Sequence, residues 1–267
     1  MTSYQPIHVW PELAPYVVAI QVECESKAAM HVATAAQVMP TALPVLGFQY
    51  RGRLAVIRDG CTRPLDRSGI TVLQSVARTF VPADDARSVL VTLQPAAAFR
   101  LLGWPMHELA DQHLGLTDLL SPAAVREVED RLQDARSADE RGAIVQRHLL
   151  TRLTESSARP HPVIEEATLR LLVGGGRQQI RPLAADLGVS ERQLERLFRE
   201  QIGTNPKQFA SLARFEWAWR RTNCGLSWAA LASEAGYADQ AHLTRTFVQR
   251  TGLPPSRLLA QTTPATW

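Results

Sequence analysis

The chain is poor in cysteine and has no long apolar run. Its three cysteines, Cys24, Cys61 and Cys224, lie far apart, with no CxxC spacing and no paired histidine nearby. Neither a disulfide framework nor a zinc site is therefore expected, and they read as buried or idle thiols. Nothing approaches the roughly eighteen consecutive apolar residues that a membrane-spanning helix needs. The opening MTSYQPIHVWPELAPY has no basic start followed by an apolar stretch, so it is not read as a secretory leader. A cytoplasmic protein with no membrane partner is expected. The HExxH, GxSxG and Walker A signatures are absent as well. GGGR (Gly174–Arg177) is too short to cradle a phosphate and follows a helical stretch, so it reads as a helix stop. No enzymatic activity, cofactor or metal is expected.

What is present suits a folded protein of more than one domain. The 267 residues are 45% apolar and 21% charged, enough for two cores. The net charge of +3 is unevenly spread: from Arg177 to the end there are twelve Lys and Arg against seven Asp and Glu. A basic C-terminal third beside a near-neutral remainder is what a polyanion-binding module on its own domain shows.

Residues 1 to about 94 read as strand-rich. Val17–Glu23, Pro44–Tyr50, Leu54–Arg58, Gly69–Ser75 and Ser88–Leu93 are short apolar or alternating runs, which predict a small β-sandwich or barrel-like domain. RGR around Gly52 and RDG around Gly60 read as turns between consecutive strands. From Pro95 the period becomes helical. Ser121 before Pro122, and Ser137, look like N-caps of two further helices. The polar TESSARPHP (Thr154–Pro162) is the candidate linker. Val163–Val173 is then an amphipathic helix. The fold class expected is an α+β N-terminal domain (β-rich sheet or barrel plus helices) over 1–160, followed by an all-α domain over 161–267.

That last part contains an internal repeat. LAADLGVS (Leu183–Ser190) recurs roughly 50 residues later as LASEAGYA (Leu231–Ala238), and Leu194, Phe198, Gly203 and Pro206 recur as Leu243, Phe247, Gly252 and Pro255. Each copy reads as a helix-turn-helix: a short helix, a glycine at the turn (Gly188, Gly236), an N-cap (Ser190, Asp239) and a second helix. In the first copy Leu194, Leu197 and Phe198 share one side, while Arg192, Glu195, Arg196 and Arg199 lie within about 100° of each other on the opposite side. In the second copy Leu243 and Phe247 face inward, leaving Ala241, His242, Thr244, Arg245 and Gln249 outward. Arg196 and Arg245 occupy equivalent slots, suited to bidentate contact with guanine, and Glu195 could accept from cytosine. The bland alternative is a solvated helix face, with Glu195 and Arg199 a routine i, i+4 ion pair.

The last ninety or so residues resemble the AraC/XylS family of bacterial transcription regulators. Ala232, Gly236, Tyr237, Asp239, His242, Leu243, Arg245, Phe247, Gly252 and Pro255 meet the family's signature A-x-x-x-G-Y-x-D-x-x-H-L-x-R-x-F-x-x-x-x-G-x-x-P. The resemblance implies two helix-turn-helix units joined by a long helix, from Pro206 to about Asn223. Its second helices, Ser190–Gln201 and Asp239–Arg250, would enter successive major-groove segments of double-stranded DNA, about 34 Å apart. Base-reading positions would be Arg192, Glu195 and Arg196, with Gln240, His242, Thr244 and Arg245; His242 could instead pack or cap. Ser190 and Asp239 are further candidate DNA contacts, and phosphate contacts are expected from Arg199, Lys207 and Arg250. Phe209, Leu212, Phe215 and Trp219 form the joining helix's apolar stripe, and Trp217, Trp219 and Trp228 read as core rather than ligand pocket.

The N-terminal part resembles, more loosely, the effector-binding or dimerisation domain that many members carry. The resemblance implies a small-molecule effector, and RNA polymerase as a partner should the protein be an activator; the apolar helices after Pro95 suggest that residues 95–153 contribute a homodimer interface. Trp10, Phe48, Tyr50, Phe80, Trp104 and His107 are the candidate pocket residues, with core packing the competing reading. Two other functions stay open: a non-specific DNA-binding protein, and an enzyme carried by the N-terminal domain. A fused DNA-repair methyltransferase would need a metal-bound cysteine cluster that the sequence lacks.

Overall fold

The protein is described from a computed structural model covering residues 3–24, 35–58 and 60–261. Its strands are β1 (Ser3–Ile7), β2 (Val17–Cys24), β3 (Ala36–Val38), β4 (Val45–Arg58), β5 (Cys61–Pro64), β6 (Ser68–Thr71), β7 (Arg78–Leu93) and β8 (His113–Gly115). They form one eight-stranded sheet of order β1-β2-β7-β4-β6-β8, with β3 added to β7 and β5 to β4, and the pairs are antiparallel. The spine is the pair β4 and β7, of 14 and 16 residues. Each is long enough for its two halves to take different outer neighbours. Val45–Phe48 pair with β6 and Ala55–Arg58 with β5. β7 gives Val89–Leu93 to β2 and Arg78–Phe80 to β3.

Gly60 lies in the turn joining β4 to β5, as expected, but Gly52 does not. The two runs read as separate strands are one strand, and the register shifts on either side of Arg51. Gly52 has φ of 59°, and a Cβ there would sit 2.6 Å from the Cα of Ala86. Only glycine fits this close crossing, so RGR is a bulge inside β4.

Helices cover one face of the sheet: α1 (Ala97–Leu102), α2 (Leu116–Leu119), α3 (Pro122–Asp134) and α4 (Ala138–Glu155). Ile20, Val22, Leu46, Phe48, Val89 and Val91 of the strands are buried in one core with Val125, Val128 and Leu132 of α3 and Ile144, Val145 and Leu149 of α4. Apolar burial of this kind contributes about 25 cal/mol per Å². Ser137 caps α4 by accepting from the Glu140 N–H at 3.1 Å. Ser121 precedes α3 but makes no side-chain cap.

After non-helical residues 156–161 the chain is helical: α5 (Pro162–Val173), α6 (Ile180–Asp186), α7 (Glu191–Gln201), α8 (Pro206–Arg220), α9 (Trp228–Glu234), α10 (Gln240–Thr251) and α11 (Pro255–Gln261). A second core holds Leu194, Phe198, Phe209, Leu212, Phe215, Trp219, Leu243 and Phe247, and takes in Ala42, Leu73 and Ala96 from the strand-rich part. No helix among the described residues is long and apolar enough to cross a membrane.

Candidate nucleic-acid interface

The helices α6 and α7 form one unit, α9 and α10 a second, and α8 joins them. Local chemistry fixes each start. Ser190 Oγ accepts from the Gln193 N–H at 3.2 Å, Asn205 Oδ1 from Gln208 at 2.9 Å, Ser227 Oγ from Ala230 at 3.2 Å and Asp239 Oδ1 from His242 at 2.6 Å. Such caps each stabilise by about 0.5–2 kcal/mol. Ser190 and Asp239, both candidate DNA contacts, thus engage their side-chain oxygens within the fold.

Helix α8 holds the two units at a fixed spacing through aromatic pairs. Phe209 meets Phe198 of α7 edge-on at 5.6 Å between centroids, and Phe215 meets Phe247 of α10 at 4.9 Å. Each pair adds about 0.5–1.5 kcal/mol beyond its buried area. Arg177, just before α6, ties across: its Nη1 donates to the Glu234 carbonyl at the end of α9 at 3.0 Å, and its guanidinium lies 5.3 Å from the ring of Trp217. Trp217 also stacks under Arg221 at 3.7 Å. Trp219 is buried and Trp228 half-buried in the same core, so the three tryptophans are packing residues.

On α7, Leu194, Leu197 and Phe198 are buried while Arg192, Glu195, Arg196 and Arg199 are exposed. The ion pair on that face is Arg196 with Glu200, at 3.3 Å. The Arg196 side chain nonetheless keeps 66% of its surface in solvent, where a pair of this kind is worth a few tenths of a kcal/mol and yields readily to a stronger anion. On α10, Gln240, Ala241, Arg245 and Gln249 are exposed, whereas His242 and Thr244 are half-buried. The His242 ring packs edge-on against Tyr237, 5.2 Å between centroids, and burial pushes the Tyr237 hydroxyl up to about 12. His242 is therefore held as a packing residue along one edge, with less of its ring available than a fully outward position would give.

Arg250 departs from expectation. Read in the sequence as a phosphate contact, it turns instead toward the strand-rich part, donating to the Ser75 carbonyl and to Ser211 Oγ, each at 2.9 Å. Burial lowers its pKa, opposed by Tyr237, Asp111 and Glu216; an arginine stays charged through such a shift. The last carbonyls of α10, orphaned by the helix end, are satisfied from the same side: Ala77 N–H donates to Arg250 O at 2.7 Å and Gln37 Nε2 to Thr251 O at 3.1 Å. The end of α7 is met too, since Gly203 packs on the 3-10 turn Met106–Glu108, where a Cβ would lie 2.7 Å from the Met106 carbonyl.

Asp111 joins these two contact points. Its carboxylate accepts from the Ser75 N–H at 2.7 Å and from Ser75 Oγ at 2.8 Å, and its own N–H donates to the Leu73 carbonyl at 3.1 Å. It adopts φ of 55°, the described non-glycine residue in the left-handed region. A further tie is Glu216 of α8, 8% exposed, whose Oε1 accepts from the Ala42 N–H. Burial raises its pKa, with the Ala42 and Arg220 contacts opposing. Neither Glu216 nor Asp111 was singled out in the sequence. The signal for Glu216 was a lone acid on the apolar stripe of α8, one turn beyond Leu212.

The other candidate residues scatter. Phe48 is core, Trp10 and Phe80 are half-buried, and Trp104 and His107 are exposed. Tyr50 alone among the six lines the large cavity of the strand-rich part. Cys61 and Cys224 are exposed free thiols, and Cys24 is a half-buried one.

Residues 183–261 match a helix-turn-helix domain family, a span that runs from within α6 to the end of α11. No curated protein matches the chain. Among solved structures, ToxT from Vibrio cholerae is 10% identical with a TM-score of 0.50, the match covering 87% of this chain and 97% of that one. A structure of ToxT from strain SCE256, solved with an unsaturated fatty acid bound, is 11% identical over 88% of this chain and 94% of its own, also at 0.50. At such identity the likeness is one of fold: a β-rich sheet with helices, followed by paired helix-turn-helix units.

Proposed function

We propose that the chain is a DNA-binding transcription regulator that reads sequence with both of its helix-turn-helix units, a reading supported by the helix-turn-helix family match over residues 183–261. The exposed faces of α7 and α10 would enter adjacent major-groove segments of one duplex. Arg192, Glu195 and Arg196 from α7, and Gln240, Thr244 and Arg245 from α10, are the base-reading set. His242 contributes at most from the groove's edge. Arg199 and Lys207, both exposed, supply phosphate contacts and with them the sequence-independent affinity. The observation that carries this reading is the pair of exposed arginines, Arg196 and Arg245, at equivalent positions of two units whose cores are matched through α8.

The strand-rich part, 1–160 in this reading, receives a small-molecule signal, and 161–267 forms the DNA-binding domain. Two things support this: contacts from the N-terminal part reach the ends of both α7 and α10, and ToxT, of the same fold, has been solved with a fatty acid bound. A homodimer through residues 95–153, activation through RNA polymerase, and a cytoplasmic location complete the proposal.

The test is competition. Genomic fragments enriched by the full-length protein should be bound with Kd at least about 10³ tighter than unrelated duplex of equal length. Equal affinity for both, with the same salt slope, would leave only a non-specific DNA-binding protein.

A further inference from the structure

A cavity of about 610 Å³ opens between the sheet and the start of α4, and four of its wall residues are arginines: Arg51, Arg87, Arg136 and Arg141. Among the described residues that line it, none is acidic. Its volume is that of a small-molecule site, and its walls are mostly guanidinium, amide and hydroxyl groups.

The bulge in β4 builds one wall. Arg51 and Arg87 are cross-strand partners, an arrangement of like charges that destabilises a sheet unless something lies between. Asp85 does so, at 3.2 Å from Arg51 and 2.6 Å from Arg87, and Glu23 stands 3.8 Å from Arg87. Arg87 is only 5% exposed, so a buried, compensated guanidinium anchors the floor.

The opposite wall is different. Arg141 lies over the Tyr50 ring, its Cζ 4.1 Å from the centroid, and its Nη2 donates to the Ala135 carbonyl. Among the described residues no carboxylate lies within ion-pair distance of the Arg136 or Arg141 side chain. The N-terminus of the 18-residue α4 opens at the same place, between Ser137 and Ala138, and adds its positive end. The acids of that first turn are engaged: Asp139 accepts from Gln5 at 3.3 Å and Glu140 from the backbone N–H of Arg136 at 2.8 Å. Two guanidinium groups without a carboxylate, a helix start and a stacked tyrosine converge on one polar space. Like charges brought together in this way are costly in the absence of an anion.

We propose that this cavity binds a small polar anion bearing carboxylate or phosphate groups, gripped by Arg136 and by Arg141, which the Tyr50 ring holds in place. The proposal deepens the small-molecule reading of the N-terminal part and rests on it. A fatty chain does not suit these walls, because its methylenes would desolvate guanidinium and amide groups without replacing their partners.

The test uses full-length protein, with citrate and inorganic phosphate as probes at ionic strength held constant with sodium chloride. Thermal unfolding should rise by roughly 3–5 °C at a probe concentration about ten times Kd. Arg136→Gln, at an exposed position, should weaken binding about tenfold, and Arg141→Gln at least as much. Arg141→Lys, which keeps the charge, guards against misreading a folding defect and should retain part of the shift. Preference for citrate assigns carboxylates and preference for phosphate assigns phosphates. No shift with either probe, or a shift equal in wild type and both Gln variants, would mean an adventitious ion only and overturn the site. Duplex binding is measured separately: if the anion binds as expected and no duplex does, the regulator reading fails and the site stands.

Discussion

Arg250 donates to the carbonyl of Ser75 at 2.9 Å, and two residues further along the Ala77 N–H donates back to the carbonyl of Arg250 at 2.7 Å. Helix α10 is thus closed at its C-terminal end by the strand-rich part, and Arg250 is a structural bridge. Removing it leaves the Ser75 carbonyl short of its donor, at a cost of about 1–3 kcal/mol. Arg250→Ala is expected to lower the unfolding midpoint and speed proteolysis at 156–161. It should leave the salt dependence of DNA binding unchanged, whereas Lys207→Ala should reduce the log–log salt slope by about 1. A reduced slope in Arg250→Ala would return that residue to the phosphate backbone.

Glu216 gives a prediction with a chemical control. Its Oε1 accepts from the buried Ala42 N–H, and burial raises its pKa above the ordinary carboxylate range. A raised folded-state pKa means stability that is present below the unfolded value and is lost as pH rises through the folded one. Glu216→Gln keeps the accepting oxygen without the buried charge, so it should be close to neutral at acidic pH and stabilising at pH 8. Glu216→Ala strands the Ala42 N–H and should cost about 1–3 kcal/mol at either pH. Chemical denaturation of the two variants at both pH values checks this.

The β-rich part carries its own pH signature. His113, half-buried beside Gly69 with Nδ1 3.2 Å from Thr71 Oγ1, has its pKa lowered to about 4 by burial first and by Arg78 second. His148 is shifted in the same direction, again by burial and then by Arg152. The folded state holds both neutral, so the unfolded chain binds more protons below pH 6.5, and stability should fall as pH drops from 6.5 toward 4. For His113 alone the loss is on the order of 3 kcal/mol. His113→Gln should flatten the midpoint-against-pH curve in that window, and an unaltered slope would show that another group titrates.

How much of this was legible in the sequence follows from where each interaction comes from. The helix-turn-helix units were readable because their determinants are local: a cap, a glycine and an apolar stripe within a few residues. Single strands were less so. β1 carries Pro6 on a sheet edge, and β5 is exposed throughout, so neither shows alternation, and only pairing with a neighbour makes them strands. Gly52 looked like a turn because glycine between polar residues suits a turn and a bulge equally. The Arg250 contact and the Glu216 tie join residues more than 170 positions apart, and no spacing rule reaches that far. The arginine cavity assembles from four strands and two helices, and its lining residues come from stretches as far apart as Gln5 and Arg141.

The central claim, that α7 and α10 each read one groove segment, is tested most directly by hydroxyl-radical footprinting on an enriched genomic site, with wild type, Arg196→Ala and Arg245→Ala side by side. Two protected patches about 10 base pairs apart on one face of the duplex are expected. Each variant should lose protection in one patch only and about 1–3 kcal/mol of affinity. Uniform weakening of both patches by either variant, or a single continuous footprint, would contradict the account.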